Sequence, residues 1–288
     1  MQYLESLRKA NSLIAQYASV LGPPVYPDQK TVKATLERFE RGQSDDSFFF
    51  YFDVRESTIK RVGNNLKPVL GTSHLDFPGW LALIHPDFAP IYIEFGFAAY
   101  QAGLKFKEEL KDSVASYSIN LPIKRRYPDG QEEYWLVKQT AYPFEFDKQG
   151  NMVSHINTYT LFSRFQKYAP MPPFVLFDHQ NQNLVEAEIF RFMQENVLQL
   201  FYSDLAERHK TTLISYWKAF SRYKAKQDDK LPSSASIAKT LGKSPQTIQD
   251  YNKAILEASR AAFPLTDFTD MLSVSAFLFD LFGSNRES

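Results

Sequence analysis

Apolar side chains recur along the chain with a period that changes several times, and each change marks a change of element. Leu4, Leu7, Asn11, Ile14, Ala18 and Leu21 step by three and four, which predicts a helix over residues 2–21. That spacing fits a coiled-coil seam holding a polar Asn, and equally the buried face of an amphipathic helix packed on its own domain. Gly22-Pro23-Pro24 ends it, and Asp28 is placed to cap a second helix with Val32, Leu36 and Phe39 on one face. From Ser47 the period shortens: Phe48–Val54 and Thr58–Val62 read as strands separated by Arg55-Glu56-Ser57. Helix signals return from Phe77 to Asp87, with Asp87 as the expected cap of a helix through Ile91, Phe95 and Tyr100. Three further strands are predicted over Tyr117–Ile123, Tyr134–Phe146 and Met152–Phe162, joined by turns at Tyr127-Pro128-Asp129-Gly130 and Asp147-Lys148-Gln149-Gly150. Beyond Pro170–Pro173, residues 186–226 read as a nearly continuous helix, with apolar positions at Ile189, Met193, Val197, Leu200, Phe201 and Leu205, then Leu213, Ile214, Trp217, Phe220 and Tyr223.

The order of two strands, helices and three strands carries recognisable words. Leu83-Ile84-His85-Pro86-Asp87 follows the short helices, Asp129-Gly130 precedes Tyr134-Trp135, and Asp147 to Gly150 precedes a strand ending at Thr158 or Thr160. Residues 43–164 resemble a PAS domain in this order and spacing. The resemblance implies an antiparallel five-stranded sheet with helices against one face, and a sensory or protein-interaction role. PAS pockets hold flavin, haem, small acids or nothing. The chain has no cysteine, which excludes the flavin photocycle that forms a thiol adduct. His74, His85 and His155 are the candidate haem ligands; a histidine before Pro-Asp at a helix junction is better suited to a local hydrogen bond. An unidentified hydrophobic small-molecule ligand, or none, is the expected occupant, and the cofactor stays unknown.

A helix-turn-helix needs a small residue where its helices approach, a glycine four positions later where the turn demands positive φ, and a β-branched apolar anchor six further on. Ala238, Gly242 and Ile248 meet that spacing. Ser244 is a good N-cap and Pro245 suits the first helical position. Leu241, Ile248, Tyr251 and Ile255 are expected to face inward, leaving Gln246, Thr247, Gln249, Asp250 and Lys253 outward. Residues 231–263 resemble the LuxR-type output domain: its recognition-helix pattern is matched by Ser244, Thr247, Ile248, Tyr251 and Ile255. Gln246 stands where that family usually has Lys or Arg, Asp250 is acidic, and Leu231-Pro232-Ser233-Ser234 replaces the usual threonine-arginine-glutamate opening. These departures weaken the expected DNA affinity and leave the fold intact. The candidate DNA-binding residues are Lys239, Lys243, Ser244, Gln246, Thr247, Gln249 and Lys253. A helical hairpin of this kind also serves protein contacts.

Charge changes the picture because it is segregated. The whole chain balances 33 basic against 33 acidic residues, yet residues 208–262 hold 11 basic and four acidic. Such an excess is either a solvated helix face or a footprint for phosphate. Its coincidence with the helix-turn-helix favours double-stranded DNA. The acidic, Phe- and Leu-rich tail over Phe263–Phe282 is expected to cover the module or join a dimer.

The 11 glycines are never closer than seven positions, so no dinucleotide or Walker-type loop is present. The five histidines include no zinc-ligand spacing, no Gly-x-Ser-x-Gly elbow occurs, and carboxylate pairs such as Glu108-Glu109, Glu132-Glu133 and Asp228-Asp229 lie in polar stretches. An enzyme is not expected. No signal peptide or membrane span is expected either, and the chain reads as cytoplasmic.

The sequence therefore predicts an α+β protein: N-terminal helices over 1–42, a PAS-like sensor over 43–169, a helical connector over 170–230, and an all-α helix-turn-helix domain with a final helix over 231–288. The expected function is that of a homodimeric, bacterial-type transcriptional regulator, in which a ligand or partner of the sensor shifts the connector and so the spacing of two recognition helices. The alternative is a non-DNA-binding signalling adaptor that uses both halves for protein contacts.

Overall fold

The protein is described here by a computed structural model covering residues 2–25, 29–107, 115–165, 175–178, 183–184, 187–263 and 266–282. The expected cap Asp28, the pair Glu108-Glu109 and the Pro170–Pro173 boundary lie outside the described residues. The chain divides into two units, residues 1–169 with 174–193, and residues 170–173 with 194–288.

The first unit is built on an antiparallel sheet. Strand β1 is Pro24–Val25, β2 Ser47–Asp53, β3 Thr58–Val62, β4 Ala115–Arg126, β5 Glu132–Asp147, β6 Met152–Arg164, β7 Val175–Asp178 and β8 Asn183–Leu184. Their order is β3-β2-β6-β5-β4-β7-β8, with β1 paired to the far end of β5 through Pro24↔Asp147 and Val25↔Phe146. All five expected strands form, and β1, β7 and β8 extend them. The helices are α1 (Gln2–Ala18), α2 (Gln29–Arg41), α3 (Leu66–Leu70), α4 (Phe77–Leu83) and α5 (Ala89–Lys105).

The aromatic run of β2 is buried almost throughout because both sheet faces are covered there. Phe48 and Phe50 pack with Trp80 of α4 and Tyr159 of β6 on the inner face. Phe49 and Ile156 pack on the outer face with Leu36, against which Val32 and Phe39 of α2 also lie.

Helix α1 packs on α5 of its own unit, so the amphipathic reading holds. The buried face, however, is Ser6, Ala10, Ile14 and Tyr17, while Leu4 and Asn11 of the expected seam are exposed. Tyr17 stacks on Tyr100 with ring centroids 4.7 Å apart, and its hydroxyl donates to Met152 O at 2.9 Å. Asp147 ties down the chain that follows: its carboxylate accepts from Gly22 N at 2.7 Å and also from the Gln149 and Asn151 backbones of its own turn.

One local expectation is corrected. Asp87 does not cap α5: the capping position is Phe88, in the αR region and without a side-chain bond, and Pro90 in the first turn sets the start. Asp76 is a working cap instead, its Oδ1 accepting from Gly79 N at 2.7 Å at the head of α4.

The expected continuous helix over residues 186–226 is two helices, α6 (Ala187–Phe201) and α7 (Glu207–Lys224). Between them Leu205 N bonds back to Tyr202 O, and Ala206 turns extended with ψ 150°. Ser203 and Asp204, whose side chains compete for backbone groups, occupy the break.

The second unit is helical. Helix α8 is Ser234–Leu241, α9 Pro245–Ala262 and α10 Met271–Phe282. Within the segment expected as a connector, α7 supplies Leu213, Tyr216, Trp217 and Phe220 to this unit's core, beside Ile237, Ile248, Ile255, Val274 and Leu278. Helix α10 covers the module by packing on α7, Phe279 meeting Phe220 at 6.0 Å between centroids. Among the described residues no helix is long and apolar enough to cross a membrane.

Candidate ligand cavity and nucleic-acid interface

The first unit holds a partly open cavity of about 40 Å³ between α1, α5 and the inner sheet face. Leu13 and Ile14 of α1 form one wall; Phe50 and Phe52 of β2, Tyr117 of β4 and His155 of β6 form the opposite one; Tyr92, Gly96 and Tyr100 of α5 lie between. None of the lining residues is Lys, Arg, Asp or Glu.

His155 supplies its most directional polar group. The ring is buried, and its Nε2 lies 2.9 Å from the Tyr100 hydroxyl. Burial pushes His155 down to about 4, so the imidazole is neutral near pH 7 and carries one donor and one acceptor nitrogen. Burial likewise raises Tyr92, Tyr100 and Tyr117, which remain neutral hydroxyls. Aromatic walls, neutral polar groups and a small volume suit an uncharged ligand of a few heavy atoms.

The candidate haem ligands do not fit that group. His74 is exposed. His85 sits edge-on to Tyr134 with centroids 4.7 Å apart, and its Nδ1 accepts from Asp87 N at 3.3 Å, the local role expected of a histidine before Pro-Asp. His155 reaches the cavity, but about 40 Å³ leaves no room for a porphyrin. Among the described residues no group of three or more His, Asp or Glu is placed to hold a metal ion.

In the second unit the three framework residues of the helix-turn-helix occupy their expected places. Ala238 and Ile248 are buried, and Gly242 ends α8 with φ 62°. Ser233 begins α8 with a reciprocal cap, its hydroxyl accepting from Ser236 N while Ser233 N donates to Ser236 Oγ at 2.8 Å. Ser244 begins α9 by accepting from Thr247 N at 3.1 Å. A polar knot fixes the angle between the helices: Asn252 Nδ2 of α9 donates to Tyr216 Oη of α7 at 2.9 Å and to Ser234 Oγ of α8 at 3.2 Å. The sequence pattern gave no sign of this knot, because each member is a single polar residue in a helical run.

Lys239, Lys243, Gln246, Gln249 and Lys253 are exposed, as expected, and Asp250 is exposed among them. Ser244 and Thr247 are different. Their hydroxyls lie 2.8 Å apart and serve the cap, and Thr247 is half-buried rather than outward. Of the residues expected inward, Ile248 and Ile255 are buried, whereas Leu241 and Tyr251 are only half-buried. Tyr251 lies against His209 with centroids 5.0 Å apart and under the Arg208 guanidinium at 5.7 Å.

The exposed charges of α9 alternate in sign through Asp250, Lys253, Glu257 and Arg260. Lys253 Nζ is 3.9 Å from Asp250 Oδ1, and the Arg260 guanidinium donates to Phe268 O. The basic excess therefore resides mainly on α7, which carries Arg208, Lys210, Lys218, Arg222 and Lys224, with Lys239 on α8 and Lys243 in the turn after it.

No protein-family model and no curated protein matches the chain. Solved structures similar to it include the phage VqmA-DPO complex, at 14% identity and a TM-score of 0.30, covering 86% of this chain and 89% of that one. A Vibrio cholerae VqmA dimer, described as a LuxR-type receptor, is similar at 12% identity and a TM-score of 0.25, covering 87% of this chain and 90% of that one. The N-terminal domain of a Marinobacter aquaeolei diguanylate cyclase with a PAS/PAC sensor is similar at 12% identity and a TM-score of 0.27, covering 41% of this chain and 95% of that domain.

Proposed function

We propose that this chain is a DNA-binding regulator that senses a small uncharged molecule through its PAS-like unit and acts as a homodimer. The observation that carries the DNA half is the build of α8 and α9. The turn at Gly242 and the cap at Ser244 present Gln246, Gln249 and Lys253 on one exposed face, with Lys239 and Lys243 beside it. Amide side chains read base edges and lysines neutralise phosphates, and the N-terminal turns of a recognition helix are the part that enters the major groove. The sensing half rests on the cavity, whose aromatic wall carries the neutral His155 ring bonded to the Tyr100 hydroxyl.

The test is fluorescence anisotropy of the full chain with mixed-sequence duplex DNA at two salt concentrations, beside a variant with Lys239, Lys243 and Lys253 changed to Ala. Binding that weakens with salt, with a shallower salt dependence in the variant, supports the reading; each lost phosphate contact lowers the slope by about one unit. No binding at low salt contradicts it and favours the adaptor reading, for which the alternating charges of α9 are the supporting observation.

A further inference from the structure

We infer that Asp250 fixes the amide of Gln246 in the orientation that reads adenine, an inference that rests on the DNA-binding reading of α9. Asp250 is the acidic residue in the exposed N-terminal half of α9, where a carboxylate repels phosphate. It is not idle: its Oδ1 accepts from Gln246 Nε2 at 3.4 Å, one helical turn earlier, and Lys253 Nζ lies 3.9 Å from the same oxygen and offsets its charge. Gln246, Asp250 and Lys253 thus form an exposed row at spacings of four and three on one helix face.

The chemistry of the amide supplies the specificity. A glutamine pairs with adenine through two bonds, its carbonyl accepting from N6 and one N–H donating to N7. The second N–H is left over. A carboxylate accepts only, so Asp250 can hold the NH₂ end of Gln246 and cannot hold its carbonyl. Rotating the amide by half a turn loses that bond and sets two oxygens against each other. The fixed orientation offers adenine a complementary donor and acceptor, whereas guanine, with acceptors at both O6 and N7, meets the glutamine carbonyl oxygen to oxygen. The basic excess of this segment, 11 basic against four acidic over residues 208–262, supplies the attraction to duplex DNA that Asp250 gives up locally.

The experiment is selection from a random-sequence duplex library with the full chain, comparing wild type, Asp250→Asn, Asp250→Ala and Gln246→Ala. All three substitutions are at exposed positions, and circular dichroism melting confirms that each variant folds. The wild type should select an adenine at one position, and Gln246→Ala should lose that preference alone. Asp250→Asn and Asp250→Ala should bind unselected DNA more tightly at low salt, yet discriminate adenine from guanine at that position about tenfold less well. Wild-type binding with a selected sequence that is identical in the Asp250 variants overturns this inference and leaves the regulator reading standing. Absence of DNA binding by the wild type overturns both.

Discussion

The ammonium of Lys9 on α1 pairs with the carboxylate of Glu94 on α5, whose side chain is completely buried. Burial raises the Glu94 pKa and Lys9 works against that rise. The pair helps hold α1 over the cavity. Lys9→Met should strand the carboxylate and cost about 1–3 kcal/mol, with part of the loss recovered in Lys9→Met/Glu94→Gln. A carboxyl whose folded pKa is raised favours the fold below the ordinary Glu range, and that contribution is lost as pH rises through the folded value. The deficit of Lys9→Met relative to wild type should therefore shrink towards acid. Urea unfolding at pH 5 and pH 8 measures it, and an equal deficit at both contradicts the account.

His155 has the opposite linkage. Its folded pKa, pushed down to about 4, lies below the unfolded value near 6.5, so its contribution is present above pH 6.5 and lost as pH falls towards 4. Full loss amounts to about 3 kcal/mol at 1.36 kcal/mol per pH unit. Unfolding free energies of wild type and His155→Gln should converge over that window. A constant gap between them would mean that the imidazole is not held neutral.

Gly96 faces open space in the middle of α5: a Cβ built there meets nothing within 4 Å. Gly96→Ala should stabilise the helix by up to about 1 kcal/mol and raise Tm by up to about 4 °C. Gly96→Leu should fold while filling the cavity, and a calorimetric scan of each checks both. A lowered Tm for the alanine variant would show that this wall is already closed.

Gly242 separates backbone strain from packing. Its φ is 62° and an added Cβ has no neighbour within 4 Å, so Gly242→Ala should cost about 1–2 kcal/mol through the left-handed backbone alone. Gly242→Asn should cost less. Ile248→Ala, at a completely buried position, should cost about 2–5 kcal/mol through the cavity it leaves. Chemical denaturation of the three variants ranks them, and an alanine at 242 as harmful as one at 248 would contradict the assignment.

The strands of the first unit were legible because turns and β-rich runs bound them, from Tyr127–Gly130 to Asp147–Gly150. The helix-turn-helix was legible because Ala238, Gly242, Ser244 and Ile248 each answer a local geometric demand. The break at Ser203–Asp204 was not, since apolar spacing on either side continues a helix and only the turn itself interrupts it. Asp87 misled because it stands before a helix, the usual place of a cap, while Pro90 sets the helix start. The inner-face role of His155 was hidden as well: Val153 through Asn157 are buried at consecutive positions, so alternation does not reveal which face each occupies. Nor does a linear pattern of residues carry the bond between Gln246 and Asp250.

The attachment of the N-terminal segment sets an order of events during synthesis. Tyr17 bonds to Met152, 135 residues downstream, and Gly22 to Asp147, 125 residues downstream. At ~5–20 residues per second these partners leave the ribosome roughly ten seconds after the segment that needs them. Until then Ala10, Ile14 and Tyr17 have no surface on which to bury, and closing so long a loop is an entropic cost that the β5–β6 hairpin, made from neighbours in sequence, does not bear. A helix made well ahead of the sheet is thus among the last elements of its unit to find its place.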